Sequence, residues 1–348
     1  MKKLWGSSDQ SDIYRYDISN GRLKAVFMNY GANLLELYIP AVDGPRDVVL
    51  GYKDLTSYFD NEPCFGCAVT PYANRIKNAS FTFEGRLYKL DSNDNNNCLH
   101  SGFHPLHKRI WDVTSWLDNS ITFSIEKNDM DMGFPGNLKI KITYTLTDDD
   151  MLRIDYDALS DKDTVFNPTN HSYFNLSGFN AGHDKLLSSL LTIDADFFTP
   201  TDDELIPTGE IRSVDNTPLD FRTPKALFQH ISDFDYEPIR FSNGFDHNFI
   251  INNYDGTFRK AAVLHDPSSN STMEVYTDMP GIQIYSGNYL KPAPLGKKCT
   301  SFQPHDGIAL ETQFFPNAVN IPSFPQPIIK AGVAFHSSTG YKFVDSGI

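Results

Sequence analysis

The sequence predicts an all-β fold, a large antiparallel β-sandwich with few short helices. Apolar and polar residues alternate from Leu138 to Leu146, and the alternation resumes through Leu152, Ile154 and Tyr156 after three consecutive aspartates. In a β-strand every second side chain points to the same face, so alternation with a period of two places all the apolar side chains on one face. These two segments are therefore predicted to form an antiparallel hairpin with one buried face. Many short strands separated by turns at close intervals are typical of a sandwich.

Two further hairpins follow from the same kind of pattern. Phe81 and Phe83 precede a Glu-Gly turn, after which a second strand runs through residues 87–88. A Pro-Ser-Ser-Asn turn separates the apolar Val263 and Leu264 from the apolar Met273 and Val275. The aromatic residues, 26 Phe and 17 Tyr, suit pleated strands, and we expect most of them to pack in the core.

Helical signals are few. Residues 54–59 and 224–231 each suggest a helix of two or three turns. The sequence has no repeat, no low-complexity segment and no Pro- or Ser-rich linker that would divide the chain. We therefore predict a single domain over residues 1–348, in which the segment 180–191 has no predicted role.

Charge and hydropathy argue against two classes of partner. The 348-residue chain has a formal net charge of −14 and no basic stripe, which is the usual footprint of nucleic-acid binding. Such a charge also disfavours anionic lipid surfaces. No apolar segment approaches the roughly 20 residues that span a bilayer, and no apolar run of a signal peptide follows Lys2 and Lys3. We expect a cytoplasmic protein, and the sequence does not indicate its oligomeric state.

The cysteines predict structural thiols and no metal or disulfide framework. Cys64 and Cys67 form a Cys-x-x-Cys motif, but a second such pair for zinc and a βαβ unit for redox chemistry are both missing. His100, His104 and His107 are loosely spaced with a proline among them, so we expect no metal site there either. The four cysteines are Cys64, Cys67, Cys98 and Cys299.

Two residues are candidates for acid–base chemistry. Walker, dinucleotide-binding, Gly-x-Ser-x-Gly and His-Glu-x-x-His motifs are all missing, which leaves isolated polar residues. Glu311 has apolar residues on both sides, and burial raises a carboxyl pKa toward that of a useful base. The alternative is a glutamate that points outward from an edge strand. His171, which lies among Pro168, Tyr173 and Phe174, is either an acid or a hydrogen-bonded core histidine.

Four more polar residues stand in unusual settings. Asn74 and Arg75 lie between a Pro-Tyr pair and the strand at Phe81. His100 follows an Asn-rich stretch, and Asp246 follows a Gly-Phe pair. Taken singly, Arg75 is better explained as a partner in a surface ion pair, and Asp246 is better explained as a turn residue.

In their order along the chain, seven segments resemble the aldose 1-epimerase (galactose mutarotase) family. The resemblance covers most of the chain, from about residue 29 to residue 322. The segments are Pro-Tyr-Ala-Asn-Arg-Ile (71–76), Leu-His-Ser-Gly (99–102), Asn-Pro-Thr-Asn-His-Ser-Tyr-Phe-Asn-Leu-Ser-Gly (167–178), Thr-Pro-Thr-Asp-Asp-Glu-Leu-Ile-Pro-Thr-Gly-Glu-Ile (199–211), Thr-Pro-Leu-Asp-Phe-Arg (217–222), Gly-Phe-Asp-His (244–247) and Ala-Leu-Glu-Thr-Gln (309–313).

The resemblance implies a galactose-mutarotase-like supersandwich fold. It also implies an enzyme that interconverts the α and β anomers of free hexoses such as galactose and glucose. It implies that Glu311 is the base that deprotonates the anomeric hydroxyl and that His171 is the acid that protonates the ring oxygen. It further implies that His100 lies near the ring oxygen and that Arg75 and Asp246 bind sugar hydroxyls. The substrate-binding residues implied are Asn74, Arg75, His100 and Asp246. The resemblance implies neither a cofactor nor a metal, and we expect the acid and base on opposite sides of the hemiacetal.

Two departures from the family pattern affect loops. The chain has Ser101 where the family commonly has glycine, and Asn317 where it often has aspartate.

Three alternative functions stay open at this point: a glycoside hydrolase or lyase with Asp246 and Glu311 as its carboxylate pair, a non-catalytic carbohydrate-binding module, and a hexose-phosphate epimerase. The last would need a cationic cluster, and the motifs offer only Arg75 and Lys77.

Overall fold

A computed structural model describes residues 1–9, 11–42 and 44–345, and within these ranges strands dominate. The remaining residues of the predicted 1–348 domain lie outside this description. The first half of the chain contains β1 (Lys2–Ser7), β2 (Asp12–Ser19), β3 (Lys24–Met28), β4 (Asn33–Ile39), β5 (Arg46–Asp47), β6 (Cys67–Val69), β7 (Arg75–Ile76), β8 (Ser80–Phe83), β9 (Arg86–Lys89), β10 (Cys98–Leu99), β11 (Asp112–Trp116), β12 (Ser120–Lys127), β13 (Leu138–Leu146) and β14 (Met151–Ser160).

The second half continues the same architecture. Its strands are β15 (Thr164–Val165), β16 (Thr169–His171), β17 (Tyr173–Phe174), β18 (Leu190–Ile193), β19 (Phe197–Thr199), β20 (Arg212–Ser213), β21 (Lys225–Ala226), β22 (Asp246–Ile250), β23 (Arg259–Asp266), β24 (Ser271–Thr277), β25 (Gly281–Tyr285), β26 (Ile308–Gln313), β27 (Ile328–Ile329) and β28 (Phe335–Asp345). The α-helices of the described ranges are α1 (Thr56–Asp60), α2 (His183–Leu187) and α3 (Glu237–Ser242), and single 3-10 turns lie at Lys77–Ala79, Leu106–Lys108, Asp131–Gly133, Leu227–Gln229, Lys297–Cys299 and Ala318–Asn320.

Three antiparallel sheets form the body of the molecule. The largest has the order β11-β12-β13-β14-β28-β24-β23-β18-β21, the second β17-β26-β25-β22-β19-β20, and the third β1-β2-β3-β4-β5. Tyr144 of the first sheet packs on Phe27 of the third at 4.5 Å between ring centroids, and Tyr341 packs on Phe174 of the second at 4.8 Å. The largest sheet therefore faces both others across one apolar core. The predicted all-β sandwich is confirmed, and the shared core supports the single domain, which stays a prediction.

The hairpins predicted from alternation are present. β13 and β14 pair with Leu146 opposite Leu152, and the side chains of β13 alternate between buried and less buried along its length. β8 pairs with β9, with Phe81 opposite Tyr88. β23 pairs with β24, with Leu264 opposite Met273.

The helix predicted over 224–231 is wrong. Residues 225–226 form β21, which extends the largest sheet by pairing with β18, and only a 3-10 turn follows. A partner strand distant in sequence thus overrides the local pattern. The helix predicted over 54–59 is present as the shorter α1. In its first turn the Ser57 amide donates a 3.1 Å hydrogen bond to the Asp54 carboxylate. The segment 180–191 contains α2, and α3 had no clear sequence signal.

None of the helices in the described ranges is long and apolar enough to cross a membrane. The cytoplasmic location stays a prediction.

A buried ion pair joins the third sheet to the segment that follows β25. Lys297 donates hydrogen bonds to the carboxylate of Asp47 and to the carbonyls of Leu35 (3.0 Å) and Val49 (2.7 Å). Asp47 also accepts the amide hydrogens of Leu37 (3.1 Å) and Val49 (3.3 Å). The two side chains are only 12% and 4% exposed, so each charge depends on the other.

We expect Asp47→Asn to lower the free energy of unfolding by about 3–5 kcal/mol, because it leaves the Lys297 ammonium buried without a counter-ion. Urea unfolding of wild type and variant measures the loss. Glu274→Gln is the matched control, since its partner Lys260 is 49% exposed and such a pair contributes about 1 kcal/mol or less. Equal losses in the two variants would show that the Asp47–Lys297 pair does not hold this segment in place.

Candidate active site

One cavity brings together all six residues singled out in the sequence. Its volume is about 470 Å³, which is in the range of small-molecule sites. The six predicted residues that line it are Asn74, Arg75, His100, His171, Asp246 and Glu311.

Glu311 lies in the interior of the second sheet. Its strand β26 is hydrogen-bonded to β17 on one side and β25 on the other, and every residue of β26 is buried. The alternative that Glu311 points outward from an edge strand is wrong. Directly across from Glu311 on β25 is Gln283, and Asp246 begins the next strand, β22. Asp246 and Glu311 thus line one cavity wall, and Gln283 lies on the strand between them.

The carboxylate of Glu311 is desolvated. It is 2% exposed, and its Oε2 has no hydrogen-bond partner among the described residues. Burial raises the pKa of Glu311 from 4.5 to about 7, against the opposing effect of nearby His171. Near neutral pH the group is therefore present in both protonation states, which suits a residue that must accept a proton and return it.

His171 is in direct contact with that carboxylate. It ends β16, and its Nε2 lies 3.5 Å from Glu311 Oε1. The ring is buried, it packs against His100 and Tyr173 at centroid distances of 5.3 and 5.1 Å, and its Nδ1 has no partner in the described ranges. The expectation that acid and base lie on opposite sides of the hemiacetal does not match this geometry, because the two groups are neighbours.

His100 is held as a neutral hydrogen-bond donor. The backbone N–H of Asn74 donates to His100 Nδ1 at 3.1 Å, and the His100 amide donates back to the Asn74 carbonyl at 3.2 Å. Burial lowers the pKa of His100 to about 3, so the ring is neutral and its proton lies on Nε2. Both residues have a positive φ, 63° for Asn74 and 50° for His100. Asn74 Oδ1 also accepts the amide hydrogen of Arg75 at 2.7 Å, so Asn74 fixes two of its neighbours.

Arg75 and Asp246 belong to a network of partly buried polar groups. Arg75 Nε donates to Asp94 Oδ2 at 2.7 Å, and its Nη1 lies 3.8 Å from Asp246 Oδ2. Gln283 Nε2 donates to Asp246 Oδ1 at 2.5 Å. Burial raises the pKa of Asp246, and the Arg75 guanidinium opposes that rise. Arg75 is only 14% exposed, so it is not a partner in a surface ion pair. Asp246 is likewise a strand residue and not a turn residue.

Sequence reasoning missed several residues of this site. Asp94 lies within the Asn-rich stretch that precedes His100, and Tyr173 lies within the segment 167–178, so each had a nearby signal. Gln283 is in a strand with no motif of its own. Only the pairing of β25 with β22 and β26 reveals its position between Asp246 and Glu311.

One of the three loosely spaced histidines has other partners than the spacing suggests. His107 lies beside the Cys-x-x-Cys motif, where ligand atoms of Cys64, Cys67 and His107 are all within 4.8 Å of one another. His100 is engaged with Asn74 instead. Cys64 also lines the cavity, so this group of potential metal ligands adjoins the candidate active site.

Known proteins resemble this chain along nearly its whole length. The sequence model described as aldose 1-epimerase matches residues 14–342. A galactose mutarotase of Bos taurus is 38% identical over 334 residues, which cover 95% of this chain and 94% of the bovine protein. An aldose 1-epimerase of Haemophilus influenzae is 38% identical over 324 residues, 92% of each chain.

The fold agrees with these sequence matches. The solved structure of an aldose epimerase homologue from C. elegans superposes with a TM-score of 0.87 at 30% identity, covering 96% of this chain and 99% of that one. The seven ordered motifs, the sandwich of three sheets and the matched residues 14–342 thus lead to the same conclusion. The chain belongs to the aldose 1-epimerase family.

Proposed function

We propose that the protein interconverts the α and β anomers of a free aldohexose such as galactose or glucose. The observation that carries this proposal is the buried Glu311, with a pKa near 7, at 3.5 Å from His171 Nε2. Relatives named galactose mutarotase and aldose 1-epimerase, each 38% identical to the chain, support the same reaction.

The reaction needs one proton removed and one proton supplied. Ionised Glu311 takes the proton of the anomeric hydroxyl while protonated His171 gives a proton to the ring oxygen, and the bond between C1 and that oxygen breaks. The two sugar oxygens are bonded to the same carbon, so an acid and a base that are neighbours reach both from one side. This accounts for the 3.5 Å separation of the two groups.

Ring closure restores both residues. After opening, the sugar is a chain aldehyde, Glu311 is protonated and His171 is neutral. Rotation about the C1–C2 bond turns the other face of the carbonyl toward the hydroxyl that was formed from the ring oxygen. As this hydroxyl attacks C1, His171 removes its proton. Glu311 returns its own proton to the carbonyl oxygen. No proton from solvent is consumed, which suits a buried pair.

We assign the remaining residues to sugar binding. The neutral His100 presents an N–H donor beside His171, a position suited to the ring oxygen. Arg75 and Asp246 supply a donor and an acceptor for hydroxyls on adjacent carbons. Asn74 is assigned to fixing His100 and Arg75 through its backbone and side chain.

Charge argues against a phosphorylated hexose. The cations that line the cavity in the described ranges are Arg75, which faces two carboxylates, and Lys291, which pairs with Glu62 at 2.8 Å. Lys77 is paired with Asp202 at 3.1 Å. A phosphate group would therefore find no unpaired cation and would meet several carboxylates. We rank the hexose-phosphate epimerase below the mutarotase for this reason.

Polarimetry with freshly dissolved α-D-galactose or α-D-glucose tests the proposal, and acid–base variants sharpen it. Glu311→Gln keeps the size of the side chain but removes the base, so kcat should fall about 100- to 10,000-fold. The kcat of His171→Asn should fall by a comparable factor. In the double variant the two losses of kcat should not multiply, because the two groups act together. Both variants should stay folded and bind sugar.

Glu274→Gln on β24 and His265→Asn on β23 are matched controls outside the cavity and should keep wild-type kcat. A folded Glu311→Gln variant that retains more than about a tenth of the wild-type kcat would exclude Glu311 as the base. A tenth of kcat corresponds to a rise of ~1.4 kcal/mol in the activation free energy. Sugar binding by a wild type that does not accelerate anomer exchange would favour the binding module. Release of reducing ends from disaccharides would favour the glycoside hydrolase.

The pH dependence should report the raised pKa of Glu311. The base acts only when deprotonated, so kcat/KM should fall as the pH drops through about 7, well above the ordinary glutamate pKa of 4.5. The profile belongs to the acid–base pair as a whole and not to either group alone. Initial rates across the pH range, with His265→Asn as control, measure the profile. An acidic limb near 4.5 would contradict a buried base.

Substitutions at the sugar-binding residues should act mainly on affinity. Arg75→Ala and Asp246→Ala each remove a partner of a sugar hydroxyl, so KM should rise, with some loss of kcat if the ring is mispositioned. Steady-state kinetics on glucose and galactose measure both constants. Lys77→Ala is a suitable control, because Lys77 contacts Asp202 on an exposed surface. An unchanged KM for both variants on both sugars would place Arg75 and Asp246 outside the binding site.

A further inference from the structure

The turn before β6 holds two thiols in a fixed position. Cys64 and Cys67 begin and end a four-residue turn that is closed by a 3.1 Å hydrogen bond from the Cys67 amide to the Cys64 carbonyl. Gly66 has a φ of 68°, and a Cβ there would lie 1.9 Å from the carbonyl oxygen of Leu34. The Gly66 carbonyl accepts the Leu34 amide hydrogen at 3.0 Å, and the Gly66 amide donates to the His171 carbonyl at 3.2 Å. The turn is therefore pinned between β4 and β16.

A histidine from another part of the chain completes the cluster. His107 lies in the 3-10 turn Leu106–Lys108, and its Nε2 is 3.9 Å from Cys64 Sγ. Ligand atoms of the three residues are all within 4.8 Å of one another, and the three side chains are buried. The 3.9 Å separation between His107 Nε2 and Cys64 Sγ is close to the edge of a coordination tetrahedron with bonds of ~2.3 Å to sulfur and ~2.0 Å to nitrogen.

We propose that Cys64, Cys67 and His107 form a binding site for a single thiophilic divalent cation of the Zn²⁺ class. Two thiolates and an imidazole are ligands that such ions prefer to oxygen donors. Cys64 lines the cavity, so the proposed site adjoins it. The site is separate from the proton-transfer pair and holds whether or not the mutarotase proposal is correct.

One contact beside the cluster supports a metal-bound thiolate. Asn61 Nδ2 donates a 3.3 Å hydrogen bond to Cys67 Sγ. A donor of this kind stabilises a metal-bound thiolate and fixes its direction.

Titration of the reduced wild-type protein with Co²⁺ tests the site. Cobalt bound by thiolates produces sulfur-to-metal charge-transfer absorption in the near ultraviolet, and this band should saturate at one equivalent per chain and disappear when Zn²⁺ is added. Zn²⁺ should also raise the temperature of thermal unfolding, because an ion that binds the folded state stabilises it. Neither readout depends on sugar turnover, so failure here is distinguishable from failure of the proposed activity.

Variants locate the site within the cluster. The charge-transfer band should be missing in the variants Cys67→Ser and His107→Gln. The variant Asn61→Ala should bind Co²⁺ about 10- to 100-fold more weakly. Circular dichroism checks that each variant is folded. Cys299→Ser, which removes an exposed thiol outside the cluster, should behave as wild type. A band that survives in the folded Cys67→Ser and His107→Gln variants overturns the proposal. So does a reduced wild type that binds no Co²⁺ and whose Cys64 and Cys67 only form a disulfide in air.

Discussion

The burial of one carboxylate in the interior of an antiparallel sheet is the constraint on which the candidate site depends. Glu311 is surrounded by β17 and β25, and the rise of its pKa from 4.5 to about 7 corresponds to on the order of 3 kcal/mol. Because the folded-state pKa is raised, the protonated form contributes stability that is complete below the unfolded-state pKa and is lost as the pH rises through about 7. Near neutral pH the fold therefore carries a charge that it disfavours, and the proposed mechanism uses that charge as its base.

The backbone places the other groups around this carboxylate. Asn74 and His100 both adopt a positive φ, which costs free energy for residues other than glycine and is stabilised here by their mutual hydrogen bonds. The short pair β7–β10 brings these two loops together, with Arg75 opposite Leu99. The site is thus assembled from an interior strand and two strained loops, so that side chains more than two hundred residues apart in sequence line one cavity wall.

Features that depend on local periodicity were predictable from the sequence, and features that depend on distant pairing were not. The hairpin of β13 and β14 follows from alternation and three aspartates alone. The segment 225–226 became a strand because β18 offered it an edge, which no local pattern reveals. In the site, the six residues were found through isolated polar positions and ordered family motifs. Gln283 and the approach of His107 to the Cys-x-x-Cys turn required the three-dimensional pairing of segments.

Several buried polar atoms in and around the cavity have no hydrogen-bond partner among the described residues. Glu311 Oε2, His171 Nδ1, Gln283 Oε1 and His107 Nδ1 are buried without a partner in the described ranges. Each such atom costs folding free energy, typically about 1–3 kcal/mol, unless something outside the chain binds it. A sugar brings several hydroxyl donors and acceptors on a rigid ring, and so can complement the groups that face the cavity. The fold therefore gives up stability in the free protein at the positions where a polyhydroxylated ligand can restore it.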